Sequence, residues 1–110
     1  MPINNELTKD LIGKRYIWTY SNGMKGSVVF TKNNANWEIL DGPNKGSSDS
    51  NIYKARLIDN GIYFVQWHEP KYKITVTLLI NDELKTVYSS VVSDGELEFE
   101  AGKINEIVQQ

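Results

Sequence analysis

The sequence predicts an all-β domain, built as an antiparallel meander that closes into a barrel or a sandwich. Turn signals such as Ser21-Asn22-Gly23 and Asp59-Asn60-Gly61 recur at short, regular intervals. Asn-Gly and Asp-Gly pairs supply the positive φ that tight hairpin turns need. The stretches between the turns are rich in Val, Ile, Thr, Tyr and Trp, which is typical of strands. Because turns rather than helices separate them, consecutive strands are expected to pair as antiparallel neighbours.

The elements follow in chain order. A single helical turn is expected first, from about Asn5 to Leu11, where Asn5 or Thr8 could cap it. About eight strands follow, and the last stretch is expected to form two short pieces. The predicted strand stretches are 14–20, 25–31, 36–40, 51–58, 62–69, 73–80, 84–92 and 96–107.

Length and composition indicate one ordinary globular domain over residues 1–110. The chain has 110 residues, 40% hydrophobic and 24% charged, which is enough to bury a core without disulfides. No apolar run approaches the roughly 20 residues of a membrane helix. The first residues lack the basic and apolar regions of a signal peptide, so a cytoplasmic location is expected.

The charge and the rarity of metal ligands narrow the classes of function. The net charge is −2, and the 12 basic residues form no run, which argues against binding nucleic acid. With no cysteine and one histidine, no metal site is expected. No cofactor is expected either.

Two predicted strands carry aromatic residues at alternate positions, which place them on one face of a sheet. In the first strand these are Tyr16, Trp18 and Tyr20. In the fifth, the same face carries Tyr63, Val65, Trp67 and Glu69. The pattern predicts an aromatic wall with a carboxylate set into it. A closed barrel of about eight strands is just wide enough to hold one small ligand behind such a wall.

Each of these residues has a structural interpretation beside the functional one. Glu69 either enters a low-dielectric cavity, where burial would raise its pKa, or ends its strand in solvent beside Pro70. The aromatic residues of the first strand either line a pocket or pack as core. Core packing is the preferred interpretation for Trp37 and Trp67.

Other polar groups favour no chemistry of their own. His68 is expected to face away from Glu69, so a pair of the two would need a bulge. The serines at 47, 48 and 50 lack a strand–turn–helix elbow. The loop from Asp41 to Ser50 is either a rim over a barrel mouth or a plain connection. Alternating Glu96, Glu98 and Glu100 indicate a solvated strand face.

The chain resembles two related calycin-like groups, the phenolic acid decarboxylases and the MoaF-like proteins. The matching segments are Leu11 to Lys14 running into Trp18 to Gly23, then Tyr63 to Pro70 with its Trp-x-Glu-Pro core, then Thr75 to Asn81 followed by Val87-Tyr88-Ser89. The resemblance implies a lipocalin-like, up-and-down antiparallel barrel with an internal pocket. The MoaF-like group fits the length of the chain better.

In the decarboxylases, a pocket glutamate protonates the alkene carbon of a hydroxycinnamic acid without a cofactor, while tyrosines and an arginine hold the substrate. Glu69 matches that glutamate and Tyr20 matches one tyrosine. Trp18 stands where another tyrosine is expected, Gly26 falls near a further one, and Ser47 falls near the arginine. Losing a carboxylate-binding guanidinium weakens substrate binding substantially.

The leading expectation is a MoaF-like barrel that binds a small hydrophobic or aromatic ligand. The first alternative is a cofactor-independent lyase on an unsaturated aromatic acid, with Glu69 as proton donor and Tyr20 orienting the carboxylate. The second is a structural or protein-binding barrel, because several strands look apolar on both faces, and a homodimer could cover those faces. The expected ligand-binding residues are Tyr16, Trp18, Tyr20, Tyr63, Trp67 and Glu69.

Overall fold

The computed structural model describes residues 6–109, which form eight antiparallel strands joined by short turns. The strands alternate inward and outward side chains, as the sequence pattern requires. Their bounds are β1 Lys14–Tyr20, β2 Lys25–Phe30, β3 Asn34–Asp41, β4 Ser48–Asp59, β5 Ile62–Glu69, β6 Ile74–Asn81, β7 Thr86–Ser93 and β8 Glu96–Gln109.

The sheet closes into an up-and-down barrel, as predicted. Each strand pairs with the next along the chain, and β1 also pairs with β8, which completes the ring. Closure leaves no unpaired strand edge between the first and last strands, so the barrel does not offer a template for edge-to-edge aggregation. The open alternative, a sandwich, is therefore excluded.

Two local predictions are wrong. The last stretch forms one continuous 14-residue strand rather than two short pieces, because a bulge opposite Ile17 and Trp18 absorbs the change in register. Residues 6–109 contain no helix, and therefore none long and apolar enough to span a membrane. At the predicted helical turn, the Thr8 hydroxyl accepts a hydrogen bond from the Asp10 amide at 3.1 Å and stabilises a non-helical turn. The predicted cap Asn5 lies outside the described residues.

One end of the barrel is filled by fully buried side chains. Leu11, from the segment before β1, packs into this end together with the rings of Tyr16 and Phe30. Tyr16 and Phe30 meet edge-on, with ring centroids 5.9 Å apart. The Gly13 amide donates to the Phe30 carbonyl at 2.8 Å, which holds the incoming segment across the end. We call this the closed end.

A polar network sits at the edge of the closed end. Asp82 accepts from the Tyr16 hydroxyl at 2.8 Å and from Lys14 Nζ at 2.9 Å. Lys14 Nζ also lies 5.0 Å from the centroid of the Tyr63 ring. Burial, reinforced by Asp82, raises the pKa of the Tyr16 hydroxyl. For Lys14, burial acts to lower the pKa, but the hydrogen bond and charge of Asp82 outweigh it and the net shift is upward.

The outer face of β5 to β8 carries exposed apolar side chains. Phe99 is 75% exposed, Leu97 67% and Tyr88 55%. Strand register puts Tyr88 beside Leu79, which lies beside Phe64, in one row across three strands. The sequence analysis allowed a homodimer to cover such outer faces, and within residues 6–109 this face is uncovered.

Candidate functional site

A cavity of about 330 Å³ opens at the end of the barrel opposite Leu11. It lies among the last inward residues of β1, β3 and β5, the first inward residues of β2 and β6, and the turns that join strands at that end. We call this end the mouth. Its larger lining side chains are Trp18, Tyr20, Met24, Trp37, Ile39, Trp67, Glu69, Tyr72, Ile74 and Leu78.

Aromatic rings dominate the cavity wall. Trp18 and Tyr20 follow each other at alternate positions of β1, with centroids 6.2 Å apart and planes at 72°. Across the mouth, Trp37 of β3 meets Tyr72 of the β5–β6 turn at 5.7 Å. The Trp37 indole N–H donates to Asn51 Oδ1 at 2.9 Å, so its ring is fixed in place. Trp67 completes the wall from β5.

Glu69 is the last residue of β5 and is only 3% exposed. Its Oε2 accepts a hydrogen bond from the Trp67 indole N–H at 2.6 Å. Within residues 6–109, this is the only hydrogen bond that reaches the carboxylate. Burial raises the pKa of Glu69, the Trp67 hydrogen bond acts to lower it, and the nearby charge of Asp49 raises it. The cavity therefore contains a desolvated acid with one oxygen held and the other open to a ligand.

Tyr20 supplies a second polar group to the same wall. Its side chain is 9% exposed, and burial raises the pKa of its hydroxyl. The polar groups of Ser89 and Trp18 act in the opposite direction and lower that pKa. The Tyr20 hydroxyl can donate a hydrogen bond to a bound molecule or accept one from it.

The structure brings together four of the six residues expected to bind a ligand. Trp18, Tyr20, Trp67 and Glu69 line the cavity. Tyr16 and Tyr63 share the inward face but lie at the closed end. Alternation along a strand fixes which face a side chain takes, whereas its height along the barrel depends on strand register.

The structure also bears on the interpretations of His68, Trp37 and the loop between β3 and β4. His68 faces outward, as predicted, and its Nδ1 lies 3.0 Å from Thr75 Oγ1. Trp37, assigned to the core, is partly buried and lines the cavity. The loop between β3 and β4 contributes Asn44 and Ser47 to the rim, consistent with the rim interpretation.

Sequence reasoning missed several cavity residues, and Tyr72 is the one aromatic residue that it assigned to no element. It lies between Lys71 and Lys73 in a turn, is 37% exposed, and belongs to no alternating pattern. The signal that could have found it is its spacing of three residues from Glu69, which lets a tight turn fold its ring back over the strand end. The Tyr72 amide indeed donates to the Glu69 carbonyl at 3.2 Å.

Residues 6–109 contain no group of three or more His, Cys, Asp or Glu side chains placed to hold a metal ion. The groups that could contact a bound organic molecule are the aromatic wall, the Tyr20 hydroxyl and the Glu69 carboxylate.

Comparison with known proteins identifies the family. The model of the MoaF-like family matches residues 12–105, which include all eight strands in whole or in part. The chain belongs to the MoaF-like family. No curated protein matches it.

Among solved structures, this MoaF-like chain is similar to a Burkholderia vietnamiensis protein described as a "putative beta-lactamase". The TM-score is 0.81 at 17% sequence identity, covering 89% of this chain and 95% of the other. At that identity the likeness concerns the fold alone.

Proposed function

We propose that this MoaF-like protein binds a small hydrophobic or aromatic molecule in the barrel cavity. One observation supports this most directly. The desolvated carboxylate of Glu69 faces an aromatic-walled space and receives one hydrogen bond, from Trp67. A buried acid with few hydrogen-bond partners is costly to folding, so its presence in the cavity favours a role in recognition.

The size and lining of the cavity support the same proposal. Ligand pockets in proteins commonly measure about 300–1,000 Å³ and combine apolar walls with a few convergent polar groups. At about 330 Å³, this cavity suits a molecule with one ring. The Trp18 and Trp67 rings offer flat surfaces, and Tyr20 and Glu69 fix the orientation of a polar substituent.

A steric block tests whether the cavity is the binding site. Gly26 lines the cavity, and a Cβ built there meets only the Glu38 carbonyl oxygen, at 3.5 Å. Gly26→Leu should therefore fill the cavity without a backbone clash. Ring-bearing compounds are screened by thermal shift and by quenching of tryptophan fluorescence. We expect saturable binding in the wild type and its loss in Gly26→Leu.

The matched control is Ala101→Leu, which adds a similar side chain on the exposed outer face of β8. It should bind as the wild type does. Equal binding by the wild type and both variants would show that the ligand binds outside the barrel cavity. An absence of binding to the wild type would refute the proposal.

A second candidate function is cofactor-independent decarboxylation of a phenolic acid. Supporting it, Glu69 and Tyr20 line one cavity, and burial raises the pKa of Glu69, which suits a proton donor. Against it, the cavity lining formed by residues 6–109 contains no arginine or lysine to hold the substrate carboxylate. Incubation with p-coumarate, followed by ultraviolet absorbance, decides the matter. Loss of substrate that disappears in Glu69→Gln would support the lyase, and an unchanged spectrum at high protein concentration would exclude it.

We also propose that the protein is cytoplasmic and that it forms a homodimer. Support for self-association comes from the exposed apolar side chains of β5 to β8, such as Phe99. Measurement of the mass in solution over a range of concentrations tests it, with a strictly monomeric protein as the contrary result.

A further inference from the structure

We propose that the ligand is an organic cation, an ammonium group on an apolar or aromatic body, and that Glu69 receives the ammonium. This inference rests on the proposed small-molecule binding and specifies the charge of the molecule bound. It derives from the distribution of charge over the inward face of the barrel, which strand register defines residue by residue.

Acidic side chains occupy the inward face near the mouth. Asp49 pairs with Trp37, a cavity residue, so it lies on the same face of the sheet. By the same reasoning, Glu98 pairs with the cavity residue Val91, and Glu100 pairs with buried Ser89. These positions were expected to form a solvated strand face, and Glu98 is indeed exposed. They nevertheless lie on the side of the sheet that leads into the cavity.

Basic side chains are missing from that face in the mouth half of the described barrel. Strand register assigns one lysine to the inward face, Lys14, and it lies at the closed end, bound to Asp82 at 2.9 Å. Near the mouth, Lys45, Lys71 and Lys73 are exposed in turns outside the cavity lining, and Lys25 begins β2 on the outer face, opposite Thr19. Their charges are screened by solvent, whereas the field of a buried acid is not.

Glu69 is the acidic residue that lies inside the cavity itself. Its carboxylate is nearly fully buried, and within residues 6–109 only the Trp67 indole donates to it. An ammonium group could donate to the second oxygen and neutralise the charge. Charge-assisted hydrogen bonds of this kind are about twice as strong as neutral ones.

The aromatic wall favours the same ligand charge. A cation within about 6 Å of an indole or phenol face is attracted by the ring quadrupole. Trp18, Trp67 and Tyr72 present rings to the cavity that holds Glu69. An acid of the same size would meet the Glu69 carboxylate and the charge of Asp49, and the basic group beside Glu69, His68, lies on the outer face of the sheet. The cavity should therefore discriminate against carboxylates.

Three probes of similar shape separate charge from shape: 2-phenylethylammonium, 2-phenylethanol and 3-phenylpropanoate. Binding is measured by isothermal titration calorimetry at neutral pH and low ionic strength. We expect the ammonium compound to bind at least about tenfold more tightly than the alcohol, and the carboxylate to bind weakest. Equal or tighter binding of the alcohol or the carboxylate would overturn the inference and leave small-molecule binding intact. Failure of all three to saturate a folded protein would overturn both.

The variant Glu69→Gln tests whether this residue is the origin of the preference. The amide oxygen can still accept from Trp67, so the fold is expected to persist. Affinity for 2-phenylethylammonium should fall at least about tenfold, to the level of the alcohol, whose affinity should change little. Glu106→Gln makes the same change in net charge on the exposed outer face of β8 and should behave as the wild type. An unchanged preference in Glu69→Gln would overturn the assignment.

Discussion

The indole N–H of Trp67 donates to Glu69 Oε2 at 2.6 Å, and the two residues lie two positions apart on β5. Alternate residues of a strand share a face, so the donor and the acid enter the cavity side by side. The hydrogen bond fixes the carboxylate in a nearly water-free position without neutralising its charge. This pair should therefore affect both the stability of the protein and the proposed binding of a ligand.

The stability of the ligand-free protein should depend on pH through Glu69. Burial raises the pKa of Glu69 above its ordinary value of 4.5. At a pH between 4.5 and the raised pKa, the folded protein keeps the Glu69 proton while the unfolded chain loses it. The free energy of unfolding therefore falls as the pH rises through this interval. Its charged neighbours are Asp49 and His68. In Glu69→Gln this loss should be absent, and the variant should gain stability over the wild type as the pH rises above 4.5. Urea unfolding across pH measures it, and parallel curves for the two proteins would contradict it.

Removing the Trp67 donor should shift the pH dependence of binding of 2-phenylethylammonium, because that binding requires an ionised Glu69. The hydrogen bond from Trp67 acts to lower the pKa of Glu69, so Trp67→Phe should raise it further. The pH at which 2-phenylethylammonium loses half its affinity should move upward. Trp37→Phe is the control, because it removes an indole hydrogen bond to Asn51 instead. An equal shift in both variants would point to loss of packing.

The closed-end network should respond differently to two substitutions of Asp82. Asp82→Ala leaves the buried Tyr16 hydroxyl without its acceptor and Lys14 without its counter-ion. We expect a loss of about 1–3 kcal/mol in the free energy of unfolding. Asp82→Asn keeps an acceptor for Tyr16 and should lose less. Denaturant unfolding compares them, and equal losses would show that the hydrogen bond to Tyr16 contributes nothing.

Two glycines on the inward face should differ in their tolerance of a methyl group. A Cβ on Gly102 would lie 2.9 Å from Val87 Cγ1 and 3.1 Å from Tyr20 Cδ1. Gly102→Ala should therefore cost about 1–3 kcal/mol and displace Tyr20. Gly26→Ala meets only the Glu38 carbonyl oxygen at 3.5 Å and should be nearly neutral. Thermal unfolding of the two variants tests this contrast, which equal destabilisation would contradict.

The barrel could be predicted because its signals are local. Turn pairs such as Asn22-Gly23 and Asp94-Gly95 end one strand and begin the next, and Gly23 and Gly95 have the positive φ that such turns require. Alternation of Tyr16, Trp18 and Tyr20 gave their inward face correctly. Continuity of β8 could not be predicted, because the bulge that preserves it depends on pairing with β1, which is distant in sequence.

The site was predicted only in part for a related reason. Which end of the barrel is hollow depends on what fills the other end, and Leu11 comes from a segment without strand periodicity. Tyr16 and Tyr63 therefore share a face with Trp18 and Trp67 but not their cavity. The inward charge of Asp49 and Glu98 likewise appears only when the strand registers are known.

The side chains of Leu11, Tyr16 and Phe30 fill the closed end of the barrel. Among the described residues, the mouth is therefore the single entrance for a ligand that binds in the cavity. A second ligand cannot enter from the closed end and displace a bound one. One ligand must then leave before the next can bind, so exchange passes through the ligand-free barrel. The departure rate of a bound molecule should be independent of how much competitor surrounds the protein.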